Sequence, residues 1–273
     1  MNRLLKIEWL KLKNYRPFWI LMGMYSVFSL SICFGGMAFL TWMKNQGADF
    51  NGFNPTMLPL YDFPDVWQNL AWLTSLFKII LAFIVIMSIN NEINFRIIRQ
   101  NVIDGFEKKD WLVSKLLLNG AIAGYAVLLV FIGGLITGMI YGHPDSRSSI
   151  FVNMYFLIAF FFDVFTFLCF AMLLIVAFRK GALLIIGLLM YTVAFEPFLS
   201  FFFYDFPRMP AHLRQMADFF PVQSLRNLVP FPLKRYGLME VADTIPVKAI
   251  LIVAGWLIFN IGMTNWILKR RDL

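Results

Sequence analysis

The amino-acid sequence predicts an all-α integral membrane protein with six transmembrane helices, and three observations predict it. Of 273 residues, 60% are apolar and 15% charged, with mean hydropathy +0.70. Soluble domains run nearer half apolar and a quarter charged. Six runs reach the roughly 20 mostly apolar residues that a bilayer crossing needs. The basic residues lie between those runs. The formal charge of +8 therefore reads as topology and lipid-headgroup signals, not as a nucleic-acid surface.

The expected spans are 18–42, 70–90, 112–141, 151–178, 182–204 and 247–268, within one transmembrane domain over 1–273. One set of alternate connecting segments carries fifteen Lys and Arg, including Arg3, Lys6, Lys11, Lys13 and Arg16 before the first span and Arg96 to Lys115 after the second. The other set carries eight, most of them in one long loop. The positive-inside rule then places both termini in the cytoplasm. The first apolar run is too long for a signal peptide and lacks a small-residue cleavage pattern. Cys33 and Cys169 lie inside apolar runs without CxxC spacing, so they read as buried small hydrophobes, with no metal site.

Before the first span, residues 1–16 read as an interfacial helix. Leu5, Trp9 and Leu12 share one side and Arg3, Lys6 and Lys13 another, with Glu8 interrupting the apolar side. A positively charged topogenic flank is the plainer alternative. Pro17 suits the break before the first span. The outer segment 43–69 carries Asn-Gly and Asn-Pro pairs, which is turn chemistry.

The segment after the second span, Asn91 to Phe106, reads as a short two-faced helix beneath the membrane. Phe95, Ile98 and Val102 fall on one face; Glu92, Arg96, Arg99 and Gln100 fall on the other, with Glu92 and Arg96 spaced i,i+4. Gly105 is the expected stop. Such a helix can present its polar face to a cytoplasmic partner.

Three ionisable residues lie within spans: Lys78, Asp163 and Glu196. Ionisable groups at depth are costly and need partners. Lys78 and Asp163 each fall about 16–18 Å from the outer ends of their helices, so an ion pair between them is expected, serving as interhelical glue or in substrate contact or gating. Glu196-Pro197 predicts a kink in the outer part of the fifth span, or a substrate contact there. The Pro-rich segment 205–246 contains apolar stretches such as Phe219 to Val222 and Leu228 to Pro232. It reads either as short re-entrant helices or as a compact outer cap.

The order Glu92, Arg96, Arg99-Gln100, Asp104-Gly105, Lys108-Lys109, Lys115 resembles the segment after the second span of type-2 ABC transporter permeases. It departs from that pattern at Ile97-Ile98 and at Glu107. Glu8 and Lys11 before Arg16 to Trp19, Phe220-Pro221, Asn227 to Pro230, Asn260 and the ending Lys269 to Leu273 extend the similarity over most of the chain. The resemblance implies a six-helix permease that pairs with a second copy or a related permease above two cytoplasmic ABC ATPase subunits. It implies export across a bacterial inner membrane. It also makes the segment after the second span a coupling helix, with Glu92, Arg96, Arg99, Gln100, Asp104 and Gly105 docking the ATPase beside Glu8, Trp9 and Lys11 of the interfacial helix.

No GxxxxGK[ST] phosphate loop is present, so ATP and magnesium would sit on the partner and this chain would bind no cofactor. Two other classes compete. An intramembrane enzyme needs a nucleophile and base at depth, yet the histidines His143 and His212 lie in outer loops. An ion-coupled carrier would lean on Lys78 and Asp163 but leaves the two-faced cytoplasmic helix unexplained, and no internal repeat stands out. The cargo is not legible.

Overall fold

A computed structural model describes residues 2–46, 61–97, 100, 103, 105, 107–205, 210, 215–232 and 244–270. Its elements are α1 (Asn2–Lys13), α2 (Arg16–Asn45), α3 (Val66–Ser75), α4 (Lys78–Asn94), α5 (Lys108–Tyr141), α6 (Tyr155–Phe178), α7 (Gly181–Met190), α8 (Glu196–Asp205), α9 (Pro221–Arg226) and α10 (Val247–Arg270). Among the described residues, five helical stretches are long and apolar enough to cross a membrane, and six if the bent pair α3–α4 is counted as one. The fifth of the six runs through α7, a π-helical turn at Tyr191–Phe195, and α8.

The chain turns between α1 and α2 at Asn14 and Tyr15, which places Pro17 in the first turn of α2, where its missing N–H costs nothing. The second span differs from the continuous helix expected over 70–90. It starts at Val66 and bends by 46° at Leu76 and Phe77.

Apart from Asp163 and Thr166, helix α6 is apolar on every face, so most of it can be enclosed. It packs against α3, α4, α5, α7, α9 and α10. Phe156, Phe160 and Phe167 on it are wholly buried. Helices α4 and α5 each pack against both α2 and α6, so these four stand as a diamond with α2 and α6 at opposite corners. Close approach to α5 depends on glycine. A Cβ on Gly134 would lie 2.9 Å from the Trp67 ring, and one on Gly138 would lie 2.5 Å from the Phe63 ring. Helices α2, α7 and α10 leave Ile20, Val27, Ile186, Leu251 and Ile258 exposed on the outside of the bundle, where lipid or another membrane helix can cover them.

Cys33 and Cys169 are free and buried. Cys169 Sγ accepts a long contact from Asn119 Nδ2 at 3.9 Å.

Candidate functional site

At the end of the bundle that carries α1, four charged side chains from three helices converge. Glu8 and Lys11 come from α1, Glu92 from the last turn of α4, and Lys115 from the second turn of α5. Lys115 Nζ donates to Glu8 Oε2 at 2.5 Å and to Glu92 Oε1 at 2.7 Å. Lys11 Nζ donates to the same Glu92 oxygen at 2.9 Å and to Glu8 Oε1 at 3.3 Å. The Trp111 indole N–H fills Glu92 Oε2 at 2.8 Å, and the Ser114 hydroxyl donates to Glu8 Oε1 at 3.2 Å.

The two glutamates and two lysines balance in charge. Glu8, Glu92 and Lys115 are 2%, 3% and 1% exposed, so the cluster is interior apart from the partly open Lys11. Removing ions from water is expensive, and the arrangement is tenable because the carboxylates gain several donors each. Burial works against the Lys11 ammonium. The negative charges of Glu92 and Glu8 outweigh it, so its pKa stands above the usual lysine value of 10.5.

Helix α1 meets the bundle along the side carrying Glu8 and Leu12, which are buried, while Leu5 and Trp9 are exposed. Glu8, expected as an interruption, is the centre of the protein-facing stripe. Trp9 stacks edge-on with Phe18 and Trp19 instead, and the Trp19 indole N–H donates to Lys13 O.

Glu92 and Arg96 do not share one helical face. Helix α4 ends at Asn94, and Arg96 takes a left-handed conformation with φ 55°. A new turn begins there, with Gln100 N donating to Arg96 O at 3.1 Å. The break turns Glu92 inward and leaves Phe95, Arg96, Gln100 and Gly105 exposed. Gly105 has φ 88°, which suits glycine alone among common residues. Arg99, Asp104, Ile98 and Val102 lie outside the described residues. Lys115 stood in the pattern that carries the family resemblance but was not assigned to the site, and the sequence did not single out Trp111 or Ser114.

A second polar region lies deeper. The Lys78 ammonium donates to Asp163 Oδ1, and both groups are buried. Further along, Glu196 N bonds to Tyr191 O in the π register. In that register Thr192 O would take the N–H of residue 197, which is Pro197 and has none. Arg226 of α9 supplies the donor instead, Nη2 to Thr192 O at 3.2 Å. Glu196 Oε1 in turn accepts the Gln223 backbone N–H at 2.5 Å, so the π turn and α9 satisfy each other. Residues 205–246 thus contain short helices, Ala217–Phe219 and α9, packed onto α6, α8 and α10. Gln68 reaches the same segment at Pro230 O.

The fold and the site define a multi-pass helical membrane protein with a buried charge cluster at one end of its bundle. A family model described as "ABC-2 family transporter protein" matches residues 4–195, more than half of the chain, and the chain belongs to that family. No curated protein and no solved structure gives a significant match. The chain is therefore a multi-pass integral membrane permease that has no ATPase site; ABC-2 permeases work with ABC ATPase subunits. Family membership sets aside the intramembrane-enzyme and ion-coupled-carrier readings.

Proposed function

We propose that this permease moves a substrate outward, pairing with itself or a related permease, with its termini in the cytoplasm and an ABC ATPase docked on the segment after α4. The observation that carries the reading is the continuity of that segment with the charge cluster. Phe95 and Ile103 on it are 74% and 77% exposed, an apolar surface suited to a protein partner. Three residues before Phe95, Glu92 is bonded to α1 and α5. A displacement imposed at Arg96 and Gln100 would thus pass to α1 and the bundle through charge-assisted hydrogen bonds rather than through a slack loop. The excess of Lys and Arg on the same side supports a cytoplasmic location for this end. Exposed apolar chains along α2 give the second permease a surface to pack on.

The test is purification of the tagged chain from native membranes in mild detergent, beside a variant carrying Arg96→Ala and Gln100→Ala. An ATPase should co-purify with the native chain and be lost from the variant. Retention by the variant would move the docking surface elsewhere. A monodisperse native chain without an ATPase would overturn the coupling.

A further inference from the structure

The middle of the diamond formed by α2, α4, α6 and α5 holds more polarity than its direct contacts satisfy. Lys78 and Asp163 are 4% and 1% exposed, and one hydrogen bond joins them, to Asp163 Oδ1. Asp163 Oδ2 is buried without a partner. An ammonium offers three donors and a carboxylate about four acceptor positions, so one bond serves neither group fully. The Phe167 ring covers the ammonium from one side, 5.3 Å away.

Thr166 lies one turn along α6 from Asp163, and its buried hydroxyl has no partner. Of the other buried threonines, Thr74, Thr137 and Thr264 each donate to the carbonyl four residues back, while Thr192 shares the unpartnered state of Thr166. Across the diamond, Tyr25 of α2 is wholly buried. Its hydroxyl and that of Ser29, four residues along the same helix, are buried and make no hydrogen bond. Buried polar groups are almost always bonded to protein or to ordered water, so a concentration of exceptions marks a place for a small polar ligand.

We propose that this centre is an internal water-binding site, with water held between the Lys78 ammonium, Asp163 Oδ2 and the Thr166 hydroxyl. Lys78 and Asp163 already cancel in charge, so an added cation would meet the ammonium and an added anion the carboxylate. Water both donates and accepts, which is what this mixture of groups requires. Its position has a consequence for motion. Lys78 is the first residue of α4, just past the 46° bend. A hydrated pair can lengthen and re-form as that joint flexes without stranding either charge in a dry interior.

The sign of one stability change tests this in the full-length protein. Thr166→Val is nearly isosteric. If the hydroxyl holds water, the variant should lower the midpoint of thermal unfolding by about 2–4 °C. If the site is dry, removing an unbonded hydroxyl leaves the midpoint unchanged or raises it, and the proposal fails. Water-edited solid-state NMR of 13C-aspartate protein in nanodiscs gives a direct reading, with Asp163→Asn assigning the signal. Rapid transfer from water to the Asp163 carboxyl is expected. Transfer as slow as that to buried phenylalanine carbons would overturn the water site even if Thr166→Val proved destabilising.

Discussion

Lys115 and Glu8 stand 107 residues apart in sequence, and their side chains meet at 2.5 Å in a buried hydrogen-bonded ion pair. The contact joins the first helix to α5, and because Lys115 also binds Glu92, it joins both to the end of α4. Three helices thus converge on one ammonium, next to the segment proposed to receive the ATPase.

Breaking this contact from one side should cost more than deleting it. Lys115→Met leaves two buried carboxylates facing one lysine, and a loss of about 3–5 kcal/mol is expected. Adding Glu8→Gln leaves the balanced pair Lys11–Glu92, so the double variant should recover part of that loss. Thermal unfolding in detergent supplies the cycle. Losses that simply add would show that Lys115 and Glu8 are energetically independent.

The same cluster predicts a pH response. The folded-state pKa of Lys11 is raised, so its contribution to stability is fully present below its unfolded value near 10.5. That contribution disappears as pH rises through the higher folded value. Lys11→Met should therefore reduce stability by a constant amount between neutral pH and about pH 10, with the gap to the native chain narrowing above it. Unfolding midpoints across that alkaline range decide the matter; a gap that widened with pH would contradict the assigned sign.

Glycine spacing on α5 gives a steric prediction. Gly138→Ala would set a Cβ 2.5 Å from the Phe63 ring, which must move or push α5 away from the start of α3. A destabilisation of about 1–3 kcal/mol is expected. Gly124→Ala, on the same helix with open space at the Cβ position, is the control and should be neutral or slightly stabilising. Equal effects at the two positions would remove the packing explanation.

These residues also show what was legible in the sequence. Spans are written locally, because some 20 consecutive apolar residues announce themselves, and the membrane helices follow from them. Intramembrane Lys78 and Asp163 were visible because each is anomalous in its own run. Glu8 was placed on the apolar side of the first helix but read there as an interruption, for the opposite reason. A carboxylate on an apolar side has no evident purpose until its partner is known, and Lys115 lies far along the chain. The bend at Leu76 and Phe77 carries no proline or glycine to mark it. Pro197 marked a break, yet nothing local showed that Arg226 would fill the carbonyl left at Thr192.

That carbonyl provides a cycle of its own. Arg226→Met removes the donor from Thr192 O and should cost about 1–3 kcal/mol. Pro197→Ala restores an N–H at the position the π register requires, so in that background the arginine becomes redundant and its removal should cost less. A full cost for Arg226→Met in both backgrounds would mean that Arg226 acts through Glu196 or Asp163 rather than through the carbonyl.

Deeper in the bundle, Lys78→Ala should be the most damaging of the single changes, because it leaves Asp163 charged or forces it to take up a proton in a wholly enclosed position. Asp163→Asn alone leaves an ammonium beside the Phe167 ring, with an amide oxygen still able to accept from it, so its cost should be smaller. The double variant removes both charges and should fold better than Lys78→Ala alone, read as the fraction of monodisperse protein recovered from membranes. That recovery must be compared with ATP-driven transport in reconstituted vesicles. If the pair is only glue between α4 and α6, folding and transport should return together in the double variant. If it also governs the bend beside it, folding should return while transport stays depressed, because a neutral joint no longer has a charge contact to break and re-form.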